Sequence, residues 1–397
     1  MPQPTPGTPS LLRAINDRAA LRALLERGPL TRPEIGAITG LSKPTASQLL
    51  LRLQEAGLVV PGGVREGLPG RTAEVYRLNP AAAYVAALDV TRTHIDARVA
   101  DITGAVVGEH RQPVPAGSGD PVRGARAALE GAHAPAGLRR VVVGVQGAPD
   151  PGTGRLGYAT AEDLPGWLGP DLAAVLGEGL GVPVSVENNV NLVAQAEQAH
   201  GAARGHRDFV LLWADEGLGA ALVLGGRLHR GATGGAGEIG YMPAPGAPTA
   251  RETGRYGDHG YQALGGGPAV LSVLRPYGLH GDGPAEAVAE AVRAAGSGGG
   301  RAAAALAGLR EIAARLAVGL ASITAVVDPE IVVLTGGTLL AGGELLRGIV
   351  EEELHALTIP RPPLLLSAVE GNPVLAGALD LALAAARDEV FGSPLPA

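Results

Sequence analysis

The stretch VSVENNVNLV, residues 184–193, sets one glutamate and three asparagines directly after an apolar run. Val182 to Val186 reads as a short buried strand, and Asn191 to Ala199 has helical spacing. A strand that passes through polar residues into a helix marks the end of a strand in an α/β sheet, where ligands gather. Glu187, Asn188, Asn189 and Asn191 therefore line either an active site or a pocket that performs no chemistry, and the rest of the chain must decide between them.

The 397 residues suffice for two or three domains with full cores. With 46% apolar and 18% charged residues the composition is globular, and the absence of cysteine removes disulfides, thiol nucleophiles and thiolate zinc sites. No apolar run long enough to cross a bilayer is free of Gly, Pro or charge, and the start MPQPTPGTPS lacks a basic-then-apolar signal pattern. A soluble cytoplasmic protein with no membrane partner is the expectation. Lys43 is the sole lysine among 32 cationic residues; a coding bias toward Arg, Ala, Gly and Pro accounts for that, so arginine counts alone carry little weight. Charge placement says more. Residues 1–80 carry a net +4 and the remainder −11, so a small basic module is fused to a large acidic one. That split points to a polyanion partner for the first part only.

Within the basic part, LLRAINDRAALRALLERG spaces Leu11, Leu12, Ile15, Leu21, Leu24 and Leu25 mostly as a helix, which Gly28-Pro29 ends. TRPEIGAITG then starts with Thr31, carries Pro33 in its first turn and Glu34 three residues after Thr31, a capping box on a short helix. Gly40 closes it, Ser42 caps the next helix, and Leu49, Leu50, Leu53 and Leu58 face inward. Two helices joined by a short Gly-containing turn make a helix-turn-helix, whose second helix enters the major groove of DNA. Ser42, Lys43, Thr45, Ser47 and Gln48 lie on its leading turns; Thr31 and Arg32 start the preceding helix, where free N–H groups suit phosphates. Strand-like pieces at Leu58–Val60 and Ala73–Leu78 flank a Gly/Pro loop with Arg65 and Arg71, reading as a basic β-hairpin wing. Small helical modules of this kind also serve in dimerisation or docking. The combination of caps, turn, polar leading turn and basic wing favours DNA.

After a short linker at Asn79–Ala83, hairpin strands give way to strand–helix alternation, which signals α/β architecture. FVLLWADEGLGAALVLGGRLHRG reads as a hairpin turning at Gly225-Gly226; an Ala-rich helix covers residues 302–326, stopped by Asp328-Pro329; IVVLTGG is a strand, and residues 372–388 a last helix. Two similar halves with Gly-rich turns resemble the actin-like sugar kinase fold. More specifically, GVQGAPDPGTGRL, LPGWLGPDLAAVLGEGLGVPVSVENNVN, GGRLHRGATGGAGEIGYMP and IVVLTGGTLL resemble the sugar-side and adenosine-side segments of the ROK family, which groups repressors with sugar kinases.

Set against that resemblance, the chain departs from the kinases at several points. The base of the family's E-N-D-x-N segment matches Asn189, and an amide cannot accept a proton near neutral pH. Glu187, two residues away, would share Asn189's face on an extended segment and stays open as a substitute. The family's D-x-G-G-T phosphate loop corresponds to DVTRTH, with Val90, Thr91 and Arg92, and G-T-G-x-G to DEGLG, where Asp215 and Glu216 would repel phosphate. Of the family's zinc site, the His position is Tyr241 and the cysteine cluster is gone; His259 reads as a solvated loop residue. Asn188 and Glu238 match family residues that bond sugar hydroxyls, but the family's later Glu falls at Ala263.

The expected fold is therefore α/β: a winged helix-turn-helix domain followed by a two-lobed actin-like (sugar kinase-like, ribonuclease H-like) ROK domain. Expected boundaries are a disordered tail at 1–10, the DNA-binding domain at 11–79 and the ROK domain at 80–397, with lobe one about 82–202 plus 372–390 and lobe two about 203–371. The expected function is a DNA-binding regulator, a repressor, without catalytic residues, metal or cofactor. Its partners are operator DNA, a sugar-like effector and further copies of the chain as dimer or tetramer. Expected contacts are Thr31, Arg32, Ser42, Lys43, Thr45, Ser47, Gln48, Arg65 and Arg71 to DNA, and Gly147, Asn188, Asn189, Glu238 and Tyr241 to the effector. Two other readings stand beside it: an active ATP-dependent sugar kinase carrying a DNA-binding arm, and a DNA-binding protein whose large domain only oligomerises.

Overall fold

The computed structural model describes residues 9–66, 72–114, 119–160, 164–254 and 258–392. Helix α1 (Pro9–Arg27) starts inside the stretch expected as a tail, whose residues 1–8 lie outside the described residues, and buries Ala20, Leu21, Ala23 and Leu24. Strand β1 (Leu30–Thr31) leads directly into α2 (Arg32–Thr39). Gly40 ends α2 in the left-handed conformation, φ 69°, where a glycine carries no steric penalty. Helix α3 (Lys43–Glu55) buries Ala46, Leu49, Leu50 and Leu53 along one stripe. Strands β2 (Val59–Glu66) and β3 (Thr72–Leu78) pair antiparallel in a sheet of order β1-β3-β2, so the wing strands run longer than the apolar pieces Leu58–Val60 and Ala73–Leu78.

The remaining chain builds two five-stranded sheets. In the first, β4 (Tyr84–Val90), β5 (His94–Asp101) and β6 (Val106–Pro113) form an antiparallel meander, followed by α4 (Pro121–Gly131) and β7 (Leu138–Val145). A two-residue ladder, β8 (Ala148–Pro149) with β9 (Leu156–Gly157), and α5 (Leu172–Leu180) precede β10 (Val184–Asn188), and the sheet order is β10-β7-β4-β5-β6. The second sheet contains β11 (Phe209–Ala214), β12 (Leu218–Leu224), β13 (Arg227–His229), β14 (Ile331–Thr335) and β15 (Leu364–Leu366), in the order β13-β12-β11-β14-β15. Counted within each sheet, both orders read third, second, first, fourth, fifth, so the same topology occurs twice. The near-continuous apolar runs of β4 and β14 follow from burial on both faces.

Two sequence expectations change. The short strand lies at Val184–Asn188 instead of Val182–Val186, and at the end of the sheet order it is half-buried, with Glu187 its one buried residue. The expected single hairpin is a three-stranded meander, because the Asp215–Gly217 turn reverses the chain before Gly225-Gly226 does so again at φ 61° and 78°.

Helices α6 (Asn189–His200), α7 (Ala250–Thr253), α8 (Gln262–Gly265), α9 (Gly267–Leu274), α10 (Pro284–Ala295), α11 (Gly299–Val327), α12 (Gly337–Leu357, broken at Gly343) and α13 (Pro373–Gly392) complete the fold. Asp328, at φ 49°, caps α11 by donating its N–H to Thr324 O, and Pro329 follows. Contacts divide the chain into two compact units. One is Met1–Val143 with Ala173–Ser185 and Ala378–Ala397; the other is Gly144–Leu172 with Val186–Gly377. The core of the second joins β11 and β14 to α9 through α12, with Tyr261 buried at its centre and its hydroxyl donating to Leu316 O at 2.6 Å.

Candidate functional site

In the second unit, β10 ends at Asn188, which caps α6. The Asn188 Oδ1 accepts from Val190 N (2.8 Å) and Asn191 N (3.3 Å), and its Nδ2 donates to Gly147 O at 3.0 Å. Asn188 thus uses both ends of its amide to tie the cap to the turn at Gly147. Gly147 has φ 105°, and a Cβ there would press on Gly157 O and Ala159, so only glycine fits. Asn189 is the first helical residue, with Oδ1 accepting from Val190 N at 2.9 Å.

Glu187 is fully committed. Its Oε1 accepts from Asn188 N (3.0 Å) and Asn191 Nδ2 (2.9 Å), and its Oε2 receives Arg230 Nε (2.7 Å) and Nη2 (2.6 Å). Because the extended segment stops at Asn188, Glu187 and Asn189 do not share a strand face, and the idea of Glu187 standing in as a base loses its geometric ground.

Across the same unit, GGAGEIGY folds against β12 and the β8–β9 ladder. Ala220 N donates to Gly237 O, and a Cβ on Gly235 would strike the Tyr158 hydroxyl. Glu238 opens the short turn Ile239–Tyr241; its carboxylate has no hydrogen bond among the described residues, and burial pushes its pKa up to about 7. The Tyr241 ring lies 5.9 Å from that of Tyr158 and 5.5 Å from that of His259. His259, read from sequence as solvated, is 3% exposed, packed against the Tyr241 ring. Among the described residues no three His, Cys, Asp or Glu side chains cluster as metal ligands. Of the residues expected at the effector site, Asn188 and Gly147 are thus bonded to each other, Tyr241 is packed between Tyr158 and His259, and Glu238 keeps a carboxylate that no described residue bonds.

The two hairpins that the resemblance matches to phosphate loops are held by hydrogen bonds from within the chain, the first within itself and the second from α12 and Gln262. After Asp89, Thr91 Oγ1 donates to His94 O (2.8 Å), accepts from His94 N (3.1 Å) and Thr93 N (3.4 Å), and Thr93 Oγ1 meets His94 Nδ1 at 2.9 Å. In the other hairpin, Asp215 is half-buried; burial raises its pKa against the lowering effect of backbone N–H groups of Gly337 and Glu216 that bond it. The carboxylate therefore occupies the N-terminus of α12. Gln262 braces the loop, accepting from Leu218 N (2.9 Å) and donating to Glu216 O (3.0 Å).

In the winged module, Ser42 Oγ accepts from Thr45 N (3.4 Å) and bonds Thr45 Oγ1, and Ser47 Oγ donates to Lys43 O. The side chains of Lys43 and Gln48 are exposed and make no hydrogen bond among the described residues. Thr31 is buried, with its N–H (2.7 Å) and hydroxyl (2.8 Å) both directed to Glu34 Oε2, so its side chain serves the cap instead of the phosphate contact expected of it. Arg65 pairs with Glu34 Oε1 and donates to Pro29 O, both at 2.8 Å. Arg71 lies outside the described residues. A groove of about 720 Å³ separates the starts of α2 and α3 from β3.

The sequence profile of the ROK family matches residues 85–385. The chain belongs to the ROK family. A MarR family profile matches residues 15–67, the helices and first wing strand. Among curated relatives, the xylose repressor of Bacillus spizizenii is 24% identical over 241 residues, 59% of this chain and 61% of that protein. The chain thus spans about three fifths of the length of that repressor. Among solved structures, a ROK family transcriptional regulator described as a homologue of the E. coli MLC protein superposes with TM-score 0.71 at 17% identity, over 96% of this chain and 98% of that one. The ROK hexokinase from Thermus thermophilus superposes with TM-score 0.61 at 27% identity, over 77% of this chain and 99% of that one. The regulator shares the whole two-part fold; the hexokinase shares the ROK part of this chain.

Sequence reasoning missed Arg230, which pairs with Glu187, and Tyr158, whose ring lies beside Tyr241. With aromatic residues at 3%, a tyrosine in a Gly-rich loop is itself a signal; Arg230 is hidden by the arginine bias.

Proposed function

We propose that this ROK protein is a cytoplasmic DNA-binding regulator, a repressor, whose ROK domain binds a sugar-like effector and does not phosphorylate it. The observation that carries the reading is Asn189 at the base position, with the neighbouring carboxylate, Glu187, neutralised by Arg230. The self-closed hairpin at Thr91–His94 and the Asp215 carboxylate at the α12 N-terminus support it, since the loops that the resemblance matches to phosphate loops spend their polar groups within the chain, and a carboxylate repels phosphate. The winged module supports DNA as partner, and the xylose repressor as relative makes aldoses the first effectors to try. Operator DNA would be contacted by Arg32, Ser42, Lys43, Thr45, Ser47, Gln48, Arg65 and Arg71, and the effector by Gly147, Asn188, Asn189, Glu238 and Tyr241. A helix-turn-helix reads two half-sites, so the acting form is a dimer or a higher even oligomer.

A melting-temperature screen with pentoses, hexoses and N-acetylhexosamines, paired with a coupled ATPase assay, tests this. One sugar is expected to raise the melting temperature; at about 100 times its Kd the stabilisation is about 2.7 kcal/mol. ATP turnover that depends on that sugar would instead establish the kinase reading. No shift with any sugar would favour a domain that only oligomerises.

A further inference from the structure

The groove on the winged module is bounded by Arg32 and Pro33 of α2, by Lys43 and Pro44 of α3, and by Glu74 and Tyr76 of β3. Its floor is apolar and its rim holds two cations, Arg32 and Lys43, and one carboxylate, Glu74. A single buried phenol connects Arg32 to Glu74. Tyr76 OH donates to Glu74 Oε2 at 2.6 Å and accepts from Arg32 Nη2 at 3.3 Å. Burial, with Glu74 beside it, holds the phenol above its ordinary pKa, so it stays protonated and keeps donating. Arg32 makes no other hydrogen bond among the described residues, which leaves the remaining donors of its planar fork for an acceptor outside the module.

Charge complementarity selects the occupant. The basic module carries net +4 over residues 1–80, and the groove runs between the leading turns of α3 and the wing, with neither rim cation in a salt bridge among the described residues. We infer that this groove seats the DNA sugar–phosphate backbone, and that Tyr76 is a positioning residue that holds Arg32 over a phosphodiester while tying back the Glu74 carboxylate. The inference rests on the DNA-binding reading above and adds to it two wing-strand residues that touch no base. Without the phenol, Arg32 would sample many rotamers and Glu74 would be released next to phosphate, so both defects weaken the same contact.

Phosphate contacts carry no sequence information, so a random-sequence 30-base-pair duplex at low salt is a sufficient probe for the full chain. The dissociation constant is measured against salt for wild type, Tyr76→Phe, Arg32→Ala, their double mutant and Glu74→Gln, with melting temperatures alongside. Tyr76→Phe is expected to weaken binding about three- to tenfold and to lower the slope of log K against log salt by about 0.9, as Arg32→Ala does. The double mutant is expected to lose no more than Arg32→Ala alone. Glu74→Gln keeps an acceptor for the phenol and removes a negative charge, so it is expected to tighten binding, which a purely structural pair would not do. Full additivity of Tyr76→Phe and Arg32→Ala, or an unchanged slope in Tyr76→Phe, overturns the inference while leaving DNA binding intact. A wild-type chain without salt-dependent binding overturns the DNA-binding reading and the inference with it.

Discussion

Single residues in the second unit divide between those whose polar groups are already paired and those whose polar groups are not. Asn188, whose position in a polar loop makes it a ligand candidate, uses its amide on the α6 cap and Gly147, whereas Glu238 has no hydrogen-bond partner among the described residues and a pKa of about 7. A folded pKa above the unfolded value of 4.5 means the native state holds the proton longer; stability is therefore full below about pH 4.5 and falls as pH rises to about 7. Glu238→Gln removes that fall, so the mutant should gain on wild type by up to roughly 3 kcal/mol between pH 4.5 and 7.5, read from urea midpoints across pH. Sugar hydroxyls that donate to the ionised carboxylate would make effector affinity rise over the same range, measurable by titration calorimetry at pH 6 and 8. Arg230→Ala should leave Glu187 buried beside its asparagine with no cation. A loss of about 1–3 kcal/mol is expected, below the full cost of a buried pair because Arg230 is partly exposed, and Glu187→Gln in the same chain should recover part of it. The sequence could name Asn188, Glu238 and Tyr241 as candidates but not sort them, because sorting depends on which hydrogen bonds neighbours 41 or 43 positions away already take.

Elements were legible where a local rule settles them. Thr31 with Glu34, Gly40, Ser42, and Asp328 before Pro329 all mark helix ends in the sequence and in the fold. Legibility failed where long-range pairing sets the limits: the wing strands extend past their apolar pieces because they pair with each other, and β10 shifts two residues because it joins a sheet edge. His259 is buried through its packing on Tyr241, a contact between two loops that no periodicity encodes. One packing feature is equally silent in sequence. Gly377 of α13 lies with its backbone against Leu192 O of α6, and a Cβ would overlap that carbonyl. Gly377→Ala should therefore force the helices apart and cost about 1–3 kcal/mol, seen as a fall in melting temperature, although Ala is the better helix former.

For the whole molecule, a repeated 3-2-1-4-5 sheet topology and a winged module stand on one chain, a ROK domain preceded by a segment that a MarR family profile matches, and the regulator account proposed above makes that segment the DNA reader. The charge split of +4 and −11 follows the same division and is legible from composition alone, since only the basic part suits a polyanion. Whether the scaffold transmits a bound sugar to the reader is a matter of coupling free energy, which a regulator must have and a kinase with an unrelated arm need not. The decisive measurement is the affinity of the full chain for a duplex it has itself selected from a random-sequence pool, with and without the sugar that raises its melting temperature. A change of about 5–150-fold, abolished in Glu238→Ala, is the result the regulator account predicts. Equal affinity with the pocket full and empty would contradict it.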